Sequence, residues 1–259
     1  GRHIEALEGR LGAPLFSRTP GGFTASELGL RAFEPVRRAA QALAEAELVA
    51  AGASANLEGS VRLTASVVTS HYTLPSMLRT LKDEFPTLSF ELVPSDSPEN
   101  LLMREADIAV RMFRPTQLDL VTRKLGETPV VPCAHASYLA RRGVPLSPQD
   151  FACHELLGLD RSEVLINAAT ALGFSLRRED FSVRCDNQSV LWQLAQAGLG
   201  ITFAQRNIIA ATPGMVILDL PIAISPLEVW LTSHRELYAS RRIRAVYDRL
   251  AELLTEWLK

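Results

Sequence analysis

GRHIEALEGRLGAPLFSRTPGGFT, residues 1–24, is the stretch that organises the reading of this chain. Ile4, Leu7 and Leu11 recur at i, i+3 and i+7, so the spacing predicts a helix with one apolar face turned inward and Arg2, His3 and Glu5 off that stripe. Gly12 is its stop. Pro14-Leu15-Phe16, then Arg18, then a Pro20-Gly21-Gly22 turn describe two short strands joined by a tight hairpin, a wing. Next, Thr24-Ala25-Ser26-Glu27 has the T-x-x-E spacing of a capping box, which places Thr24 as the N-cap of a helix starting near residue 25. Helix, wing and helix in this order are the second half of a winged helix-turn-helix, and the expectation is a unit truncated at its second helix.

From Ala25 to about Ala51 the chain is rich in Ala, Leu, Glu and Arg. Leu28, Ala32, Ala39, Leu43, Ala46 and Ala50 follow steps of 3, 4 or 7, a narrow apolar seam along one long helix. Such a seam either lies on its own domain or pairs with a second copy. Pro35 removes an interior hydrogen bond at about 3 kcal/mol, so a kink or local break is expected there. Gly52-Ala-Ser-Ala-Asn-Leu-Glu-Gly59 is small and polar and serves as the linker to a second unit.

Beyond Gly59, Val61–Ala65 reads as a strand. A helix then carries Leu74, Leu78, Leu81 and Phe85 and ends before Pro86, and Leu88–Val93 is a second strand. Strand, helix, strand is a βαβ unit and implies a parallel sheet covered by helices. Asp107–Arg111 is a third strand, and Asp119 to Val131 is extended. After His135 the pattern begins again: Phe181–Cys185 as strand, Gln188–Ala197 as a helix stopped by Gly198, Ile201–Phe203 as a buried strand. The last helix, from Arg241 to Leu258, aligns Ile243, Val246, Leu250, Leu253 and Trp257.

Composition narrows the function classes. The 259 residues are 47% hydrophobic and 22% charged, ordinary for one large or two smaller globular domains. A net charge of −2 excludes bulk electrostatic attachment to nucleic acid, so any such contact must be local. No apolar run is long enough to span a membrane and no signal peptide is visible, so a cytoplasmic location is expected. Cys133, Cys153 and Cys185 are odd in number and far apart, which points to free thiols; neither a metal site nor a cofactor is indicated. G-x-S-x-G, H-E-x-x-H and the phosphate-loop pattern are absent, and Gly198-Leu-Gly200 lies between helix and strand, the reverse of a dinucleotide fingerprint. The histidines are scattered, and hydrogen bonding is expected of His71. A non-enzyme is the expectation.

RHIEALEGRLGAPLFSRT followed by FTASELG resembles the recognition helix and wing of LysR-type bacterial transcriptional regulators. TASVVTSHYTLPSMLRTLKDEFPTLSFELV, DIAVR, AQAGLGITF and RRIRAVYDRLAELL are similar to stretches of that family's effector domain, so the likeness runs through nearly the whole chain. It implies an α/β fold: a two-lobed, Rossmann-like effector-binding domain of the type II periplasmic-binding kind, preceded by a long linker helix and a partial winged helix-turn-helix. The expected divisions are 1–24 for the partial reader, 25–58 for the linker, 59–134 with 234–259 for lobe I, and 135–233 for lobe II, with crossovers near 134 and 233. Two roles follow from the resemblance: double-stranded DNA as a partner of the N-terminal unit, through Arg2, His3 and Arg18, and self-association as a homodimer or homotetramer.

A small-molecule effector, expected as a small organic acid or related metabolite, would lie between the lobes, where strand ends and helix starts converge. Ser66, Thr69 and Ser70 follow the first strand and Ser97 follows the second. The resemblance extends the same role to Thr202 and Phe203 of GLGITF, and Arg111 could pair with an effector carboxylate or bridge the lobes. Each hydroxyl is also an ordinary N-cap; convergence from separate segments is what points to a ligand. Asp96 would repel an anion and favour an amine. A stand-alone solute receptor shares the cleft but needs neither wing nor long helix.

Overall fold

The computed structural model describes residues 2–19, 22–50, 57–96, 106–116, 119–171, 173, 175–222 and 224–259. Helix α1 (Arg2–Leu11) leads into the antiparallel hairpin of β1 (Phe16–Thr19) and β2 (Gly22–Ala25), paired from Phe16↔Ala25 to Thr19↔Gly22. Glu8 ties them together: its carboxylate accepts from the N–H groups of Leu15 at 2.6 Å and Phe16 at 3.1 Å. The stripe of α1 differs from the expectation. Ile4, Leu7 and Leu11 are exposed, because no described element of the chain lies over them.

Helix α2 (Glu27–Ala50) starts later than the capping-box spacing suggests. Thr24 is held in β2, where the ladder fixes its backbone, and Ser26 takes over as cap: its Oγ accepts from Gly29 N at 3.0 Å and donates to Pro14 O at 2.7 Å. The helix passes Pro35 without a break. Among its described side chains the exposed large apolar ones are Leu28, Leu30, Phe33, Val36 and Leu43, a wider face than the predicted seam, whose Ala46 and Ala50 side chains lie outside the described residues.

The first sheet has the order β4-β3-β5-β12-β6, from β3 (Gly59–Ala65), β4 (Leu88–Pro94), β5 (Ile108–Arg111), β6 (Leu120–Thr128) and β12 (Leu227–His234). β3 pairs in parallel with β4 and β5, as the βαβ reading requires. β12 runs antiparallel to β5 and β6, so the sheet is mixed. Between β3 and β4 the predicted helix is α4 (Leu74–Glu84), and a further short helix, α3 (Val67–Tyr72), precedes it across Thr73 where a connection was expected.

The second sheet has the order β10-β7-β11, from β7 (Val130–His135), β10 (Thr202–Gln205) and β11 (Met215–Ile217), with both neighbours antiparallel to β7. Beside it, β8 (Leu156–Gly158) and β9 (Phe181–Arg184) form a parallel pair, joined to it by a bridge from Leu156 to Ile201. Around these strands lie α5 (Ala136–Arg142), α6 (Val164–Ala171), α7 (Gln188–Gln196) and α8 (Arg206–Ala210). The chain therefore passes between sheets at residues 128–130 and again ahead of Leu227, earlier than the expected 134 and 233. Pairing decides this: β7 already bonds to β10 and β11, and all of β12 bonds to β5 and β6.

After α9 (Arg235–Tyr238), α10 (Arg241–Trp257) returns to the first sheet. It buries Ile243, Val246, Tyr247, Leu250 and Leu254 against Val61, Leu63, Ile108 and Leu231, while α4 contributes Leu74 and Leu81. Each such side chain is worth about 1.5–3 kcal/mol of apolar transfer. Arg242 of the same helix donates to Glu58 O at 3.0 Å and fixes the entry to β3.

Candidate functional site

The two sheets face one another across a cleft of about 750 Å³. From the first sheet come Ser66, Ser95, Asp96, Val110 and Arg111, at the ends of β3, β4 and β5; from the second side come Leu159, Arg161, Asp186, Gln188 and Gln205. The arrangement follows from the parallel β4-β3-β5 order, which brings three strand ends to one edge.

Ser66 lies on the cleft wall but is also the N-cap of α3: its Oγ accepts from Thr69 N at 3.2 Å and donates to Thr69 Oγ1 at 2.8 Å. Thr69 and Ser70 are buried behind that wall, and the Ser70 hydroxyl turns back to Ala65 O at 3.4 Å. Ser97 lies outside the described residues, as do the side chains of Arg2, His3 and Arg18, whose backbones belong to α1 and β1. Thr202 and Phe203 line an adjoining chamber instead of the cleft itself. Thr202 is buried, with its hydroxyl 3.5 Å from Leu157 O, and Phe203 stacks edge-on against Phe151.

Arg111 is 4% exposed. Its guanidinium donates to Val110 O at 3.1 Å and Thr64 Oγ1 at 3.3 Å, and among the described residues no carboxylate is within 4 Å of it. Burial pulls its pKa down to about 10, opposed in part by the nearby Asp96. Asp96 is already engaged, accepting from Val67 N at 3.0 Å. Across the cleft, Asp186 accepts from the N–H groups of Arg161 at 2.9 Å and Asp160 at 3.0 Å and from Arg161 Nε at 2.9 Å. The Arg161 N–H is the main reason its carboxyl stays below the usual range. The charged lining thus contains two carboxylates and two guanidinium groups.

The lobes touch where α3 meets α7. His71 Nδ1 lies 2.9 Å from Ser189 Oγ, Gln193 Nε2 donates to Tyr72 Oη at 2.9 Å, and the Tyr72 and Trp192 rings meet edge to face. Asn207 of α8 adds a bond to the carbonyl of Trp257 at the end of α10. At the far end of β5, Asp107 is fully buried and accepts from Arg62 N at 2.7 Å, with Arg37 of α2 at 3.8 Å. Burial raises the Asp107 pKa.

The adjoining chamber, about 460 Å³, was not legible in the sequence. It is lined by Val68 of α3 and by Leu165, Ala168, Leu191, Trp192, Phe203, Gln205 and Ile208, contributed from segments up to 140 residues apart. A third cavity of about 530 Å³ shares Leu165, Ala168, Phe203 and Ile224 with it. Among the described residues no group of three His, Cys, Asp or Glu side chains converges as a metal site would, and no helix is long and apolar enough to cross a membrane.

The chain matches the LysR substrate binding domain over residues 54–255. It is similar to an HTH-type transcriptional regulator of Xanthomonas campestris pv. campestris (strain 8004), 29% identical over 166 residues, 64% of this chain and 48% of that protein. The chain spans about half the length of the first curated relatives it matches, 48% and 52%. Among solved structures, CrgA, a LysR-type transcriptional regulator from Neisseria meningitidis, aligns with a TM-score of 0.66 at 22% identity, covering 100% of this chain and 88% of CrgA. Full-length CbnR, solved with its target DNA, aligns with a TM-score of 0.65 at 17% identity, over 97% and 88%. The fold is the one these proteins share, and with most of its length matched to their characteristic domain, the chain belongs to the LysR family.

Proposed function

We propose that this chain is a DNA-binding transcriptional regulator whose two-lobed domain senses a small molecule, acting in the cytoplasm and carrying out no catalytic step. The observation that carries the reading is the cleft between the two sheets, walled by Ser66 and Arg111 on one side and Gln188 and Gln205 on the other. The relatives support it, being named transcriptional regulators, and give none to a stand-alone receptor. Ser66, Arg111, Thr202 and Phe203 are the proposed effector contacts, with Thr69 and Ser70 holding Ser66 from behind. Arg2, His3 and Arg18 are the proposed DNA contacts, positioned by a helix in the major groove and a wing on the backbone. The exposed Leu30, Phe33, Val36 and Leu43 of α2 are the proposed face for a second copy.

The route from ligand to DNA would run along β5, which ends in Arg111 at the cleft and follows directly on Asp107, beside Arg37 of α2. A ligand that binds one lobe arrangement better than the other shifts the population and, through that contact, the set of α2. The test is operator binding by the full-length protein, with and without effector. Ser66→Ala with Thr202→Val is expected to abolish the effector response and leave basal DNA binding; a retained response places the effector elsewhere. Arg2→Ala is expected to weaken operator binding, and unchanged affinity removes Arg2 from the interface.

A further inference from the structure

We infer that the effector is an uncharged molecule with an apolar body of about two fused rings, held by one hydrogen-bond acceptor and one donor in the chamber behind the cleft. The inference rests on the sensor reading above, names the chemistry of its ligand, and replaces the Ser66 and Arg111 contacts with the chamber wall to which Thr202 and Phe203 belong.

Three observations carry it. First, no described residue lining the chamber bears a charge, and it opens to the cleft through the shared Leu159, Gln188, Gln205 and Leu227. A carboxylate taken into it would lose its water without gaining a counter-ion. In the cleft itself, Asp96 and Asp186 sit among Arg111 and Arg161, so the mouth offers an anion no net positive field. Second, two wall residues hold buried polar atoms without a protein partner: Trp192 Nε1, in a residue 4% exposed, and Gln205 Oε1, in a residue 7% exposed. Both atoms are closed to solvent, so a ligand reaches them once the Trp192 and Gln205 side chains turn toward the chamber; the pair then asks for one acceptor and one donor, which an amide or a hydroxyl supplies. Third, the roof is unfinished. Helix α6 reads VLINAATA, apolar along most of its length, yet none of its residues is buried. Leu165 and Ala168 are half-buried and line both cavities, so a ligand body against them would complete their burial. A dry cavity of about 150 Å³ holds one benzene ring, and 460 Å³ admits roughly two fused rings with a polar substituent. Val68 is the contribution of α3 to this wall, so the ligand touches both lobes, as an effector must.

The test uses matched neutral and anionic probes on the whole chain: 2-naphthamide against 2-naphthoate and benzamide against benzoate, by thermal shift and titration calorimetry. A neutral member is expected to raise Tm and to bind at least about tenfold tighter than its acid. Trp192→Phe, which removes the donor but keeps the ring, is expected to weaken the neutral probe about tenfold, and Ala168→Phe, which grows the roof into the chamber, to abolish binding. If Ala168→Phe does not fold, Trp192→Phe alone decides. Neutral probes that bind with unchanged affinity in Trp192→Phe overturn the inference. Acids that bind tighter than their amides, with affinity lost in Arg111→Met, overturn it but leave the cleft as a sensor. Silence from both series overturns the inference, while the sensor reading stands or falls on the Ser66→Ala with Thr202→Val operator assay.

Discussion

Arg111→Met separates a sensing role for this residue from a structural one. The guanidinium is 4% exposed and has no carboxylate within 4 Å among the described residues, and burial drops its pKa to about 10. At about 1.4 kcal/mol per tenfold, that drop corresponds to roughly 3 kcal/mol set against the folded state. Arginine is charged at neutral pH whether folded or unfolded, so the whole penalty is present at pH 7. Methionine fills a similar volume without charge. It gives up the bonds to Val110 O and Thr64 Oγ1, which at 3.1 and 3.3 Å are long for bonds from a charged donor and are counted at about 0.5–1.5 kcal/mol each. Thr64 Oγ1 is not orphaned, because it keeps its bond to Val93 O at 2.9 Å. Set against the roughly 3 kcal/mol relieved, the two lost bonds leave an expected gain of up to about 2 kcal/mol in stability, the outcome expected of a group whose role is not structural. Urea unfolding at pH 7, followed by circular dichroism, should show a higher midpoint at unchanged slope. A midpoint lowered by the equivalent of about 1 kcal/mol or more would refute the reasoning and make Arg111 a structural tie between strands.

Three other outcomes are expected. Gly29→Ala would place a Cβ 2.1 Å from the Leu15 carbonyl oxygen, so α2 must part from the hairpin; limited proteolysis should then cut between residues 12 and 26 faster than in the parent, and equal rates would show that the contact is dispensable. Burial pushes the Cys133 thiol up to about 12 while Cys153 is exposed, so a thiol reagent at pH 8 should label Cys153 in the native protein and Cys133 only after unfolding. Asp150, Asp180 and Asp186 are held below the usual carboxylate range chiefly by backbone N–H groups of Leu146, Arg177 and Arg161 respectively. Their stabilisation is complete above the unfolded value and is lost as pH falls below about 4 through the lowered folded values. Asp107, raised by burial, acts in the opposite sense, contributing stability as pH falls. Thermal melts between pH 7 and 3 should therefore decline more gently in Asp186→Asn than in the parent, and parallel curves would contradict the assignment.

What the sequence determined by itself was whatever depends on near neighbours. The spacing of Ile4, Leu7 and Leu11 made a helix, and Pro20-Gly21-Gly22 separated two strands. Leu74, Leu78 and Leu81 lay on one helical face beside the strands of a βαβ unit. Dihedral preference, capping and amphipathic period act over a few residues, so a string of letters carries them. Tertiary structure decided the rest. Thr24 has the better capping spacing, yet the pairing of β2 with β1 holds it and passes the cap to Ser26. Leu227–His234 looks like part of the second lobe until β5 and β6 claim it as a strand of the first. Thr202 and Phe203 fall in the chamber behind the cleft, and the unpartnered Trp192 Nε1 and Gln205 Oε1 become meaningful only once Val68, Leu165 and Ile208 close around the same space. Such positions are set by the free energy of long-range pairing and burial, and the same local sequence is compatible with several of those outcomes until the whole chain has packed.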